Sequence, residues 1–275
     1  FRQGNMEYAF SLIALALITI FLSFLIRKFV RPTRQLTTIQ GFGAVGLSWI
    51  FMSLFGTVPY LLSGIDLSFI NILFETVSGL TTTGSSILND INSVDKSLLI
   101  WRSTTQWLGG MGVIVLTITV LPLLGSGGIN LFKAESPGPS ADRLTPKFKD
   151  TARLLWIIYI SLTMLETILL YFSGLSLYHA FNHSLTTLST GGFSTFNTSV
   201  NEFSTISKLI INIFMFLAGT SFILLLKTIR SKSLKEFFKS TEFLFYSFMV
   251  VATATIFSFK TIYISENILE SINNA

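Results

Sequence analysis

Six stretches of about 20 mostly apolar residues, at roughly 8–26, 42–63, 98–124, 154–174, 207–226 and 242–259, leave a bilayer as the solvent that suits this chain. An α-helix rises about 1.5 Å per residue, so about 20 residues cross a hydrocarbon core about 30 Å thick. Half of the 275 residues are apolar and only 12% are charged, a balance that a soluble domain does not keep. The expected fold class is an all-α, multi-pass integral membrane protein.

Several function classes drop out at once. The net charge of +5 comes from basic residues grouped between apolar runs, not from a basic face on a soluble domain, so nucleic acid is not an expected partner. Without cysteine there is no disulfide, thiolate nucleophile or cysteine metal site. No Ser/His/Asp set is placed for nucleophilic catalysis, and an enzyme is not expected. The chain opens at Phe1, which points to numbering that begins inside a longer gene product.

Orientation follows the basic residues. Arg27, Lys28, Arg31 and Arg34 follow the first span, Lys133, Arg143, Lys147, Lys149 and Arg153 separate the third and fourth, and Lys227, Arg230, Lys232, Lys235 and Lys239 separate the fifth and sixth. These loops are assigned to the cytoplasm. Two Ser/Thr/Gly-rich stretches, too short and polar to cross, then open to the outer face.

Those stretches form an internal repeat. Aligned on shared letters, the segment Phe74-Glu75-Thr76-Val77-Ser78-Gly79-Leu80-Thr81-Thr82-Thr83-Gly84 sets against Phe181-Asn182-His183-Ser184-Leu185-Thr186-Thr187-Leu188-Ser189-Thr190-Gly191 without a gap, pairing Gly84 with Gly191. A Ser-Gly pair precedes each, Ser63-Gly64 and Ser173-Gly174. The expected organisation is a leading helix and basic linker over 1–34, a first helix–pore loop–helix unit over 35–132 and a cytoplasmic loop over 133–153. A second unit follows over 154–230, then a linker and further helix over 231–275 that could open a third unit. Both units start and finish in the cytoplasm, so the repeats are parallel.

Non-helical backbone at membrane depth is tolerated where it is buried in protein or lines a watery cavity. Glycine lets successive carbonyls turn toward an axis, and an adjacent Thr or Ser adds a hydroxyl. A short helix before each loop, about 69–80 and 178–187, aims its partly negative carboxyl end at the same place. Oxygen ligands without a carboxylate ring suit a weakly hydrated monovalent cation, with potassium as the transported ion. The expected ion-binding residues are Thr82, Thr83, Gly84, Ser189, Thr190 and Gly191. Glu75 and Arg102 are expected to brace the first loop, and Glu166, an acid inside a span, is either a structural hydrogen-bond partner or a group near the path.

The segments just quoted, with Trp101-Arg102-Ser103, Gln106-Trp107-Leu108-Gly109-Gly110-Met111-Gly112, Ala134-Glu135-Ser136-Pro137-Gly138-Pro139 and Ser189-Thr190-Gly191-Gly192-Phe193-Ser194-Thr195, resemble the Trk/Ktr/HKT superfamily of potassium transporters. The likeness is greatest to the bacterial Trk-type membrane subunit. It implies a pseudo-fourfold pore of four helix–loop–helix repeats, two of them here, each with one filter glycine, Gly84 and Gly191. It also implies potassium uptake across the bacterial inner membrane, a homodimer and a cytosolic nucleotide-binding regulatory subunit, with no organic cofactor. The alternative is a non-conducting truncated fragment or membrane scaffold without a complete filter.

The remaining motifs have plainer readings. Gly109-Gly110 and Gly125-Ser126-Gly127-Gly128 are not between a strand and a helix, so helix packing is expected rather than phosphate binding. Ala218-Gly219-Thr220 is expected to pack or kink within a span. His179 and His183 share a helix face at a metal-ligand spacing but lack a third ligand, and packing is expected.

Overall fold

The computed structural model describes residues 38–120 and 144–273, besides isolated positions between 20 and 29. Among the described residues the structure is helical and contains no strand. Most of the expected span 8–26, the loop glycines 125–128 and most of the cytoplasmic loop 133–153 lie outside the described residues. The chain divides into two compact units, Phe1–Ala218 and Gly219–Ala275.

In the first unit, helix α1 (Thr38–Gly56) leads through Thr57 into α2 (Val58–Leu62). Pro59 supplies no N–H and crowds the carbonyl four residues back, which accounts for the interruption of one apolar stretch. Then come the half-length helix α3 (Phe69–Leu80), a non-helical segment with a 3-10 turn at Ile91–Ser93, and α4 (Lys96–Val120). The order repeats with α5 (Leu144–Phe172), the half-length α6 (Leu177–Leu188), a non-helical segment and α7 (Thr205–Ala218). Gly43–Leu62 and Asp150–Phe172 are long and apolar enough to cross a membrane. Their exposed Leu47, Ile50, Phe51, Ile157, Ile168 and Phe172 would be costly in water and are at home in hydrocarbon.

Each repeat has its own core. Tyr60, Ile72 and Leu98 are buried together in the first, with Ile65 against them, and Leu170, Ala180, Phe203 and Ile211 in the second, with Leu175 against them. α6 packs on α5, α4 and α7, and α3 on α4 and α1. α4 therefore touches both half-length helices.

The second unit holds α8 (Phe222–Ser231), α9 (Lys235–Lys239) and α10 (Thr241–Asn273). The expected continuous span 207–226 is corrected: helix α7 ends at Ala218, and helix resumes only at Phe222. Gly219, a poor helix former, and Ser221, the N-cap of α8, sit in that interruption.

Candidate functional site

The site is built by two helix ends made in the same way. Ser68 caps α3 by accepting from the Asn71 N–H, and Ser176 caps α6 by accepting from the His179 N–H. Each helix then runs 12 residues. At their carboxyl ends the same pair of bonds recurs: Thr82 N–H to Gly79 O and Thr83 N–H to Ser78 O, both 2.9 Å, against Thr190 N–H to Thr187 O and Gly191 N–H to Thr186 O, both 2.9 Å. This is the Schellman closure, which requires a left-handed residue just past the helix.

That residue is normally glycine, yet here it is a threonine twice, Thr82 at φ 55° and Thr190 at φ 56°. A β-branched side chain there is an outlier costing on the order of 1–3 kcal/mol, and such strain collects at functional sites. Two residues on, Gly84 at φ 77° and Gly192 at φ 78° share a second left-handed step.

The register of the repeat is therefore corrected. A constant offset carries Ser68 to Ser176, Leu80 to Leu188, Thr82 to Thr190 and Gly84 to Gly192, so Gly84 matches Gly192 and not Gly191. Gly191 matches Thr83, and Ser189 matches Thr81, one position before the strained threonine. Burial differs between the two loops: Ser189 and Gly191 are buried where Thr81 and Thr83 are exposed, so the register rests on the caps and the left-handed positions. The Ser189 hydroxyl donates back to Leu185 O and Thr186 O, at 2.9 and 3.1 Å. Letter matching missed this by one residue. Counting from the capping serines would have found it.

The two loops meet. A Cβ on Gly84 would strike the Gly191 carbonyl oxygen, and one on Gly191 would strike the Gln106 amide. α4 admits both helix ends through adjacent glycines, Gly109 against the Leu80 carbonyl and Gly110 against Ser189 Cα, as the packing reading of that motif expects.

Glu75 and Arg102 do come together. Arg102 Nε lies 2.6 Å from Glu75 Oε1, and both side chains are almost fully buried. Glu75 also accepts from Ser86 Oγ at 3.1 Å and the Ile87 N–H at 2.9 Å, holding the segment leaving the first loop. Arg102 donates to Ser194 O at 3.0 Å and lies 3.6 Å over the Phe193 ring, holding the segment leaving the second. The carboxylate is thus engaged by Arg102, Ser86 and Ile87.

By the corrected register Glu75 corresponds to His183. His183 Nε2 lies 3.3 Å, and His179 Nδ1 2.8 Å, from Thr195 Oγ1, in the segment leaving the second loop. Both histidines thus contact the segment leaving the second loop through Thr195, and their rings pack on Phe196 and Phe203. No metal-type cluster occurs among the described residues. Glu166 is fully buried on α5, and neither carboxylate oxygen has a hydrogen bond of ordinary geometry. Thr187 on α6 is the polar group that bears on it.

At the outer ends of the loops, Asn197 Nδ2 donates to Asp90 Oδ1 at 2.8 Å, and Ile91 N–H donates to Asn197 Oδ1 at 2.7 Å. The Asn197 bond, above all, holds the exposed Asp90 carboxyl below its ordinary value of 3.8. A depressed carboxyl stabilises the fold above its unfolded value, and that contribution fades as pH falls through the folded value. Asn197→Ala is expected to raise the Asp90 titration midpoint, read by carboxyl-carbon NMR; an unmoved midpoint would remove the link.

Known proteins resemble this arrangement over most of its length. The family profile described as "TrkH: Cation transport protein" matches residues 10–271. The Trk system potassium uptake protein TrkH of Salmonella typhimurium is 36% identical over 253 residues, covering 89% of this chain and 52% of that protein. TrkG of Escherichia coli K12, also a Trk system potassium uptake protein, is 37% identical over 229 residues, covering 82% and 47%. The crystal structure of the potassium transporter TrkH from Vibrio parahaemolyticus matches with a TM-score of 0.73 at 29% identity, over 90% of this chain and 55% of that one. The chain spans about half the length of the relatives it matches.

Proposed function

This chain belongs to the TrkH family of cation transport proteins, and on that footing we propose that its two strained loops form part of a potassium-selective path used for uptake across the cell membrane. The observation that carries the reading is the doubled helix end. Two half-length helices stop at the same left-handed threonine, each with a partly negative end, and bring two glycine turns into contact. Carbonyls set in this manner replace the hydration shell of a weakly hydrated cation.

The proposed ion-facing residues are Thr82, Thr83 and Gly84 in the first loop and Thr190, Gly191 and Gly192 in the second, with Ser189 at the helix end behind them. Glu75 and Arg102 brace. The parallel repeats are two of a ring of four, closed by further loops or by a second copy. Family membership supports a homodimer, a cytosolic nucleotide-binding regulatory subunit and the bacterial inner membrane as the setting.

The test is potassium and sodium flux into liposomes by the intact protein carrying this chain. Gly84→Ser and Gly192→Ser are each expected to lower the potassium-to-sodium ratio by roughly tenfold, because a Cβ at positive φ turns the loop and about 1.4 kcal/mol of lost discrimination is a factor of ten. Wild-type ratios in both variants would end the proposal. Flux by this chain alone would favour closure by a second copy.

A further inference from the structure

We propose that Gln106 is a selectivity-determining positioning residue, a strut on α4 that sets the distance between the two loops. This rests on the transport reading above and concerns a side chain that reading does not use.

Gln106 is 0% exposed and lies one helical turn beyond Arg102. Its Oε1 accepts the Phe193 N–H at 3.1 Å, on the residue after Gly192. Its amide lies against Gly191 so closely that any Cβ there would overlap it. The Gly191 carbonyl in turn abuts Gly84 in the other loop. Gln106, Gly191 and Gly84 thus form one line of contact from α4 through the second loop to the first.

The second loop is held on α4 at two further points. Arg102 holds the Phe193 ring, and Gly110 seats Ser189 against the same helix, so the second loop cannot slide along α4 without breaking those contacts. Gln106 Nε2 is buried with no hydrogen-bond partner, and the position a Cβ would take on Gly84 lies 3.7 Å from it. A buried amide is costly to leave half-satisfied, so a residue serving only to fill space is better apolar here. An amide does two things that an apolar side chain does not: it anchors the Phe193 N–H, and it presents a donor edge where the two loops touch. The spacing of oxygen-bearing loops sets which cation they replace water around.

Gln106→Glu keeps the length and the acceptor for Phe193 but turns the donor edge into an acceptor facing the Gly191 region. Gln106→Met keeps the length and removes both functions. Ser103→Ala is the control, since the Ser103 hydroxyl donates to Asn182 Oδ1, which is on α6 and not in a loop.

The measurement is the potassium-to-sodium flux ratio in liposomes, normalised to inserted protein, so that a loss of folded material does not move it. Both Gln106 variants are expected to shift the ratio by roughly threefold to tenfold, the range one hydrogen bond commands, with Ser103→Ala unchanged. A wild-type ratio in either inserted Gln106 variant overturns the proposal, and so does an equal shift in Ser103→Ala. An absence of potassium flux in the wild type instead overturns the transport reading beneath it.

Discussion

Arg102→Met is expected to destabilise the protein by about 3–5 kcal/mol, because it leaves Glu75 as a buried carboxylate without its cation. The change also removes the bond to Ser194 O and the guanidinium from the Phe193 ring, so it releases the segments leaving both loops. Methionine keeps the length of the side chain, and the loss is therefore electrostatic more than steric. The double variant Glu75→Gln with Arg102→Met is expected to recover most of the stability, since replacing both partners of a buried pair is often near neutral. Unfolding in detergent measures this double-mutant cycle. Equal losses in the single and double variants would show that the pair is not the brace.

Gly109→Ala is expected to cost about 1–3 kcal/mol or more, as overpacking does, and to abolish transport before it abolishes insertion. Its Cβ would overlap the carbonyl carbon and oxygen of Leu80, backbone atoms at the end of α3 that cannot rotate aside. α3 and α4 must then part, and the first loop moves with α3. Gly43→Ala and Gly46→Ala are the matched controls, because a Cβ at either meets nothing within 4 Å. There alanine is expected to be neutral or to stabilise by up to about 1 kcal/mol, the difference in helix propensity. Thermal unfolding midpoints of the three variants give the comparison. Similar midpoints for all three would remove the close approach at Gly109.

Letters alone carried the architecture a long way. The apolar stretches over 42–63 and 154–174 coincide, to within a few residues, with Gly43–Leu62 and Asp150–Phe172, which are long and apolar enough to cross a membrane, because length and apolarity are local properties. The half-length helices were legible as short segments before each loop, about 69–80 and 178–187, where α3 (Phe69–Leu80) and α6 (Leu177–Leu188) lie. Glu75 and Arg102 were legible as partners because an acid at membrane depth requires one. The interruption at 219–221 was legible only as the expected packing or kink at Ala218-Gly219-Thr220, since the stretch 207–226 is apolar throughout most of its length and hydropathy does not register a broken helix. His179 and His183 were legible as packing residues, and they pack on Phe196 and Phe203; that His183 also occupies the place of Glu75 was not legible, because no letter is shared between them.

What the sequence by itself determined was a membrane chain with two glycine-bearing turns of one design, and membership of a family whose residues follow in long ordered segments. What only the tertiary structure decided was which glycine is which. Gly191 and Gly192 are adjacent and identical as letters, yet one is glycine because the Gln106 amide occupies the space of a side chain, and the other because its backbone is left-handed at φ 78°. The first requirement is imposed by a residue 85 positions earlier in the chain, brought there by the packing of α4 on α6. No local pattern carries it, because the space around an atom is a property of the fold.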